Sequence, residues 1–232
     1  MPTLLLRLQG PMQSWGTSSR FDYRRTDLEP SKSGVIGLLC AAIGRDRSEP
    51  VEDLATLRMG VRVDREGILR YDYQTAQDVL QANAPLERGS KKETKKTVQS
   101  WRYYLADAAF LVGLESQDRM LLEHLHGALR NPRWPLFLGR KGYLPSPPVW
   151  LRDGLVDAAL EEALAKHPPL VERGPKRYRY ALEAPPSAGQ QRLASVVRRT
   201  DQPLSSFQER RFGDRYVWIV IEERGKVPGV PV

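Results

Sequence analysis

Leucines at positions 4, 6 and 8 alternate with other residues, the period of a strand, and Gly10-Pro11 stops the run because proline brings no N–H to a ladder. The next strong pattern has helical period. Val35, Leu38, Leu39, Ala42 and Ile43 share one face, Ser31 or Ser33 can cap the start, and Gly44 suits a left-handed C-terminal position. A short helix is expected over 51–57. Met59, Val61 and Val63 alternate, Asp64–Gly67 reads as a turn, and Leu69, Tyr71 and Tyr73 alternate again as the return strand of a hairpin. Residues 103–114 read as one long strand that is apolar on both faces, and so covered on both. Asp118–Leu129 is a second amphipathic helix ended by Asn131-Pro132, and Pro135–Gly139 reads as a short strand.

In order these elements spell β-α-β-β-α-β, the pattern of a ferredoxin-like α+β fold, whose open sheet face is a common RNA platform. Residues 145–150 (PSPPVW) read as a linker, followed by a helix through Leu155, Ala159, Ala163 and Leu164. Short strand-like runs at 178–182, 195–198 and 215–222 predict a smaller, mostly β region. The expected division is a body over 1–148 and a smaller C-terminal region over 149–232.

Charge changes the picture in one place. The 232 residues carry a net charge of +8, which permits a polyanionic partner without proving one. Between the strand patterns, at about 78–101, apolar residues thin out and KKETKK appears, ending in Trp101, Arg102 and Tyr103. A charge run is most simply a solvated loop. Doubled lysines beside aromatics also suit a nucleic-acid arm, with lysines tracking phosphates and rings stacking on bases. The candidates there are Lys91, Lys92, Lys95, Lys96, Thr97, Gln99, Trp101 and Arg102. The loop between the first strand and helix adds Gln13, Ser14, Trp15, Arg20, Arg24 and Arg25. Lys32 and Ser33 lie at a helix N-terminus, where a bound anion would offset an unfavourably placed lysine. Arg140 and Lys141 sit between Gly139 and Gly142, a turn that allows close backbone approach. Trp15 either stacks on a base or fills a gap in the core. Trp134, Trp150 and Trp218 are assigned to packing or a protein interface.

Catalytic and metal motifs are sparse. Cys40 is the single cysteine and reads as a buried small hydrophobe. Lys32-Ser33 lacks the glycines of a phosphate-binding P-loop, and no zinc, calcium or dinucleotide signature occurs, so no metal or cofactor is expected. His124 and His126 are two apart on one helix, and His167 precedes Pro168-Pro169. None falls in the basic stretches, where metal-free RNA cleavage would need a general base. No leader and no apolar run approaching 18 residues is seen, so a cytoplasmic protein without membrane contact is expected.

Five segments in order carry a resemblance: LRLQGPMQSWG (6–16), PSKSGVIGLLCAAIG (30–44), RYDYQTAQ (70–77), ETKKTVQSWRYYLADAAFLVGL (93–114) and PLFLGRKGYLPSPPV (135–149). RRFGDRYVWIV (210–220) matches more loosely. The chain resembles the CasD family of type I-E CRISPR Cascade complexes, within the RAMP superfamily. The resemblance implies an RRM-like body with a thumb at about 78–101. It also implies a non-catalytic role in gripping the 5′ handle of the CRISPR RNA, with contacts to the CasA large subunit and the CasC backbone subunit. Target DNA would be met only indirectly, through the assembled complex. The handle would lie against the loop after the first strand, the first helix start and the Arg140–Lys141 turn. In a related subtype the equivalent subunit cuts precursor RNA, so a metal-independent endoribonuclease is the alternative.

Overall fold

The computed structural model describes residues 1–18, 22–80, 95–185 and 196–229. Two sheets organise them. The larger is seven-stranded, in the order β10-β11-β9-β4-β7-β1-β8, and every neighbouring pair in it is antiparallel. Its strands are β1 (Thr3–Gln9), β4 (Arg58–Arg65), β7 (Ala109–Glu115), β8 (Trp150–Val156), β9 (Arg177–Ala184), β10 (Val196–Pro203) and β11 (Phe212–Glu223). The smaller sheet is built on β6 (Lys95–Ala106). It pairs with β5 (Ile68–Leu80) and β2 (Met12–Gln13) antiparallel, and with β3 (Tyr23–Arg24) parallel.

Four helices pack on the larger sheet. α1 (Lys32–Ile43), α2 (Glu52–Ala55) and α3 (Arg119–Arg130) lie on one face, over Leu4, Leu6, Leu8, Val61, Phe110 and Val112. α4 (Leu160–Lys166) covers the other face with Leu5, Leu111, Tyr178, Tyr180 and Leu182. The central strands are thus covered on both sides, which is why Leu5 is as buried as Leu4 and β7 is buried throughout.

α1 forms as its sequence dictates. The Ser31 hydroxyl accepts from the Gly34 N–H, and Gly44 closes the helix at φ +74°. Helix α3 is capped by Asp118, whose carboxylate accepts from the Leu121 N–H at 2.9 Å.

Four expectations change. The long strand over 103–114 is two strands in different sheets, because Asp107 turns at φ +55° between β6 and β7. The 59–73 hairpin does not form: after Gly67, at φ +75°, β5 leaves β4 and pairs with β6 from Ile68↔Ala106 to Leu80↔Lys95. Pro135–Gly139 is not a strand. The edge partner of β1 is instead β8, so Trp150–Val156 is strand where linker and helix were expected, and the helix starts at Leu160. Strands from both sides of residue 148 therefore share one sheet.

Candidate nucleic-acid interface

Where β6 leaves the smaller sheet's base, three pieces of chain converge. The loop after β1 supplies Ser14, Gly16, Arg24 and Arg25. Strand β6 supplies Arg102, and the turn after α3 supplies Gly139 and Arg140. Together they line a cavity of about 410 Å³. Arg24 and Arg102 are register partners in the parallel β3–β6 pair. Arg140 reaches across to donate to the Arg24 carbonyl at 3.1 Å and to the Tyr143 hydroxyl at 3.0 Å. Arg102 donates to the Ser100 hydroxyl at 3.1 Å. These acceptors are neutral, and among the described residues no carboxylate lines the cavity. Arg24, Arg102 and Arg140 converge here beside Arg25, and planar guanidinium forks are suited to phosphate oxygens.

The cradle is fixed by a close backbone approach. Gly139 has φ +90°, and a Cβ there would lie 1.8 Å from the Ser14 carbonyl oxygen. Beside it the Ser14 N–H donates to the Leu138 carbonyl at 3.1 Å. Only glycine permits this contact, which brings Arg140 against the loop that carries Arg24 and Arg25.

Side chains of the β5–β6 ribbon divide by parity. On one face Tyr23 stacks on Trp101 at 5.0 Å and 12°, Tyr73 meets Trp101 at 5.3 Å, and Tyr71 meets Tyr103 at 5.7 Å. Tyr23, Tyr71 and Tyr73 are exposed. On the other face lie Arg102 and Tyr104, the latter 5.9 Å from the Tyr143 ring. Cations on one side of a strand and exposed rings on the other are a combination suited to single-stranded nucleic acid.

Several candidate residues have internal work instead. Gln13 is fully buried and its amide donates to the Leu8 and Ala108 carbonyls. Trp15 is buried in the main core against Gly34, and its indole N–H donates to the Gln13 side-chain oxygen at 3.1 Å. The Ser14 hydroxyl donates to the Tyr103 carbonyl. Lys32 is the clearest correction. Its ammonium is buried against both Glu183 oxygens at 2.8 and 3.0 Å, and its backbone N–H donates to the Asp201 carboxylate at 2.7 Å. The anion that the helix start requires comes from the C-terminal strands, not from solvent. Burial still holds the Lys32 ammonium below its ordinary pKa despite Glu183. Ser33 is partly buried and, with exposed Lys141, lines a neighbouring groove rather than the cradle. Thr97 and Gln99 lie exposed on β6. Lys95 and Lys96 open β6 opposite Leu80 and Val79. Arg20, Lys91 and Lys92 lie outside the described residues.

Tyr73 and Tyr143 were not among the site candidates. The alternation of Leu69, Tyr71 and Tyr73 was the available signal, but only the pairing with β6 puts Tyr73 on Trp101. None of the three histidines lines the cradle: His126 contacts the Leu151 carbonyl at 2.8 Å, and His167 the Pro168 carbonyl. Among the described residues, no three His, Cys, Asp or Glu side chains converge as a metal cage would require, and no helix is long and apolar enough to cross a membrane.

The sequence model for the CRISPR-associated protein (Cas_Cas5) family matches residues 3–218. The chain belongs to the Cas5 family of CRISPR-associated proteins. Within that family setting, it is 36% identical over 162 residues to the CRISPR system Cascade subunit CasD of Escherichia coli strain K12, covering 64% of this chain and 69% of the relative. A solved structure described as the crystal structure of a Cas protein superposes with a TM-score of 0.75 at 49% identity, over 99% of this chain and all of that one. A chain from a structure titled CRISPR RNA-guided surveillance complex also reaches 0.75, at 31% identity over 98% of this Cas5 chain and 91% of its own length. The mixed α/β fold with extensive antiparallel pairing is therefore that of solved Cas proteins.

Proposed function

We propose that the chain is a non-catalytic RNA-binding subunit of a Cascade-type CRISPR surveillance complex in the cytoplasm. It grips the 5′ handle of the guide RNA and joins the CasA large subunit to the CasC backbone. The observation that carries the reading is the cradle: Arg24, Arg102 and Arg140, from three separate pieces of chain, line one cavity beside Arg25. The likeness to CasD supports the setting. The order β8-β1-β7-β4, with α1 and α3 on one face, supports a ferredoxin-like RAMP body. Its fourth strand then comes from just beyond residue 148. The β5–β6 ribbon is the stem of the thumb, with residues 81–94 outside the described set. A passive grip agrees with the placement of all three histidines away from the cradle.

The test is binding and cleavage together. Labelled CRISPR repeat RNA is mixed with the protein in EDTA at several salt concentrations and run on native and denaturing gels. An intact, shifted band is expected. For four phosphate contacts its affinity should fall with salt on a log–log slope of about −3. Arg102→Ala and Arg140→Ala should each flatten that slope by about 0.7. A salt-insensitive complex overturns the cradle as the RNA site. A discrete cleavage product overturns the passive role in favour of a metal-independent endoribonuclease.

A further inference from the structure

Beside the cradle runs an apolar groove of about 440 Å³, within the size range of small-ligand sites. Its floor is the outer face of α1, where Gly37 and Ala41 keep it open. A Cβ added at Gly37 would have the Phe207 ring, at 3.9 Å, as its nearest neighbour. Its wall is formed by Trp134 and Phe137, which also line an adjoining hollow of about 480 Å³. Trp134 is held in place rather than loose: the Arg133 and Trp134 N–H groups donate to the Ala42 and Ala41 carbonyls at 2.9 and 3.1 Å. Even so, Trp134 is 41% exposed, and among the described residues it stacks on no other ring.

The groove opens onto the arginine cradle. Gly139 lines both cavities, and Lys141 stands on the groove's rim. An anchored indole with no ring stacked on it, five positions ahead of the Gly139 that both cavities share, is a stacking platform without its ring. We propose that this groove is a nucleobase subsite, seating one unstacked base of the strand whose phosphates lie in the arginine cradle; the proposal rests on the RNA-binding reading above. Arg47 and Lys141 line the groove beside Asp46, with Arg45 held by Asp53, and these two cations together with the shared Gly139 wall favour a nucleotide over an apolar peptide, since a strand leaving the cradle meets the groove next.

The experiment uses the full chain and a set of handle RNAs, each abasic at one position, with affinity read by fluorescence anisotropy. Two variants close the groove differently. Trp134→Ala removes the platform, and Gly37→Leu fills the floor while improving helix propensity, so a thermal melt should show the latter fully folded. One abasic position is expected to weaken binding by the unaltered chain about tenfold. Both variants should weaken intact RNA by about the same factor, become indifferent to that position, and keep the salt slope of the unaltered chain. If every abasic position costs the variants what it costs the unaltered chain, the groove holds no base and the proposal falls, with the cradle untouched. If the variants bind RNA normally but no longer co-purify with other Cascade subunits, the groove belongs to a protein partner, which also overturns it. No salt-dependent binding by the unaltered chain would remove the RNA reading and this subsite with it.

Discussion

At Gly139 backbone conformation and packing act together. The residue sits at φ +90°, and a Cβ would lie 1.8 Å from the Ser14 carbonyl oxygen, far inside van der Waals contact, whereas Gly142, three residues on, has nothing within 4 Å of an added Cβ. Gly139→Ala should therefore cost at least the 1–3 kcal/mol typical of about one strained residue. It should also part Arg140 from Arg24. Gly142→Ala should be near neutral. Denaturant midpoints, with RNA affinity measured alongside, check the pair, and equal effects would remove the argument. Asp27 gives a pH prediction. Burial raises its carboxyl pKa above the ordinary 3.8, and the Thr17 hydroxyl that donates to it at 2.8 Å only partly offsets this. As pH rises through that interval, the unfolded chain gives up its proton first, so this group's contribution to stability falls with rising pH. Asp27→Asn should thus stabilise relative to the parent near neutrality and lose that advantage near pH 3, read as melting temperature against pH. At this scale the sequence was legible where chemistry is local. The Ser31 cap and the Gly44 left-handed turn follow from neighbours in the chain. Lys32 was not legible, because its partner Glu183 lies 151 positions away.

Elements show the same division. β1, α1, α2, α3, β4, β9 and β11 were readable from period and caps, since amphipathic pattern is a property of the segment itself. What failed was pairing. Nothing in the alternation of Leu69, Tyr71 and Tyr73 says whether the strand turns back on β4 or crosses to β6, and Asp107, the one charged residue in the 103–114 run and a type that tolerates the left-handed region, was a break signal outweighed by the apolar residues around it. The PSPPVW segment looked like a linker because prolines dominate it, yet Trp150 begins a strand on the sheet's edge, where lost N–H groups cost no ladder. The ribbon's base offers the element-scale prediction. Trp101 holds β3 through its stack on Tyr23 and β5 through its contact with Tyr73. Trp101→Ala should cost about 0.5–1.5 kcal/mol for the ring pairs beyond the area lost. It should also raise hydrogen exchange at the Trp101 position, whose N–H donates to the Asp22 carbonyl at 2.8 Å, while β1 and β7 amides stay protected. Unchanged exchange at the ribbon base would mean that the backbone ladder alone holds β3.

Across the molecule, the C-terminal strands do more than extend the sheet. Through β9 and β10 they deliver Glu183 and Asp201 to the start of α1. Arg215 grips Asp201 at 2.6 and 2.9 Å, and the Met59 N–H donates to Glu183 at 3.0 Å. A second junction joins Arg179 and Arg199 to Glu29, just ahead of the same helix. The loop that carries Arg24 and Arg25 is thereby fastened at its far end to residues 150 or more positions away. Cutting one partner of the Lys32–Glu183 pair leaves a buried charge unpaired, so Glu183→Gln should lose about 3–5 kcal/mol in denaturant unfolding. Lys32→Met in the same chain should recover most of it, because the penalty lies in the orphaned ammonium rather than in a lost attraction. The pH dependence separates this from simple misfolding. Lys32 in the folded chain titrates below its ordinary 10.5, so between its lowered value and 10.5 the unfolded chain holds the extra proton. In that window stability from this group rises with pH. Losing Glu183 lowers the folded value further and widens the window downward. The deficit of Glu183→Gln should therefore shrink as pH rises through the alkaline range, and that of the double variant should not. A deficit that stays constant with pH would place the cost in the Met59 hydrogen bond instead of the buried charge.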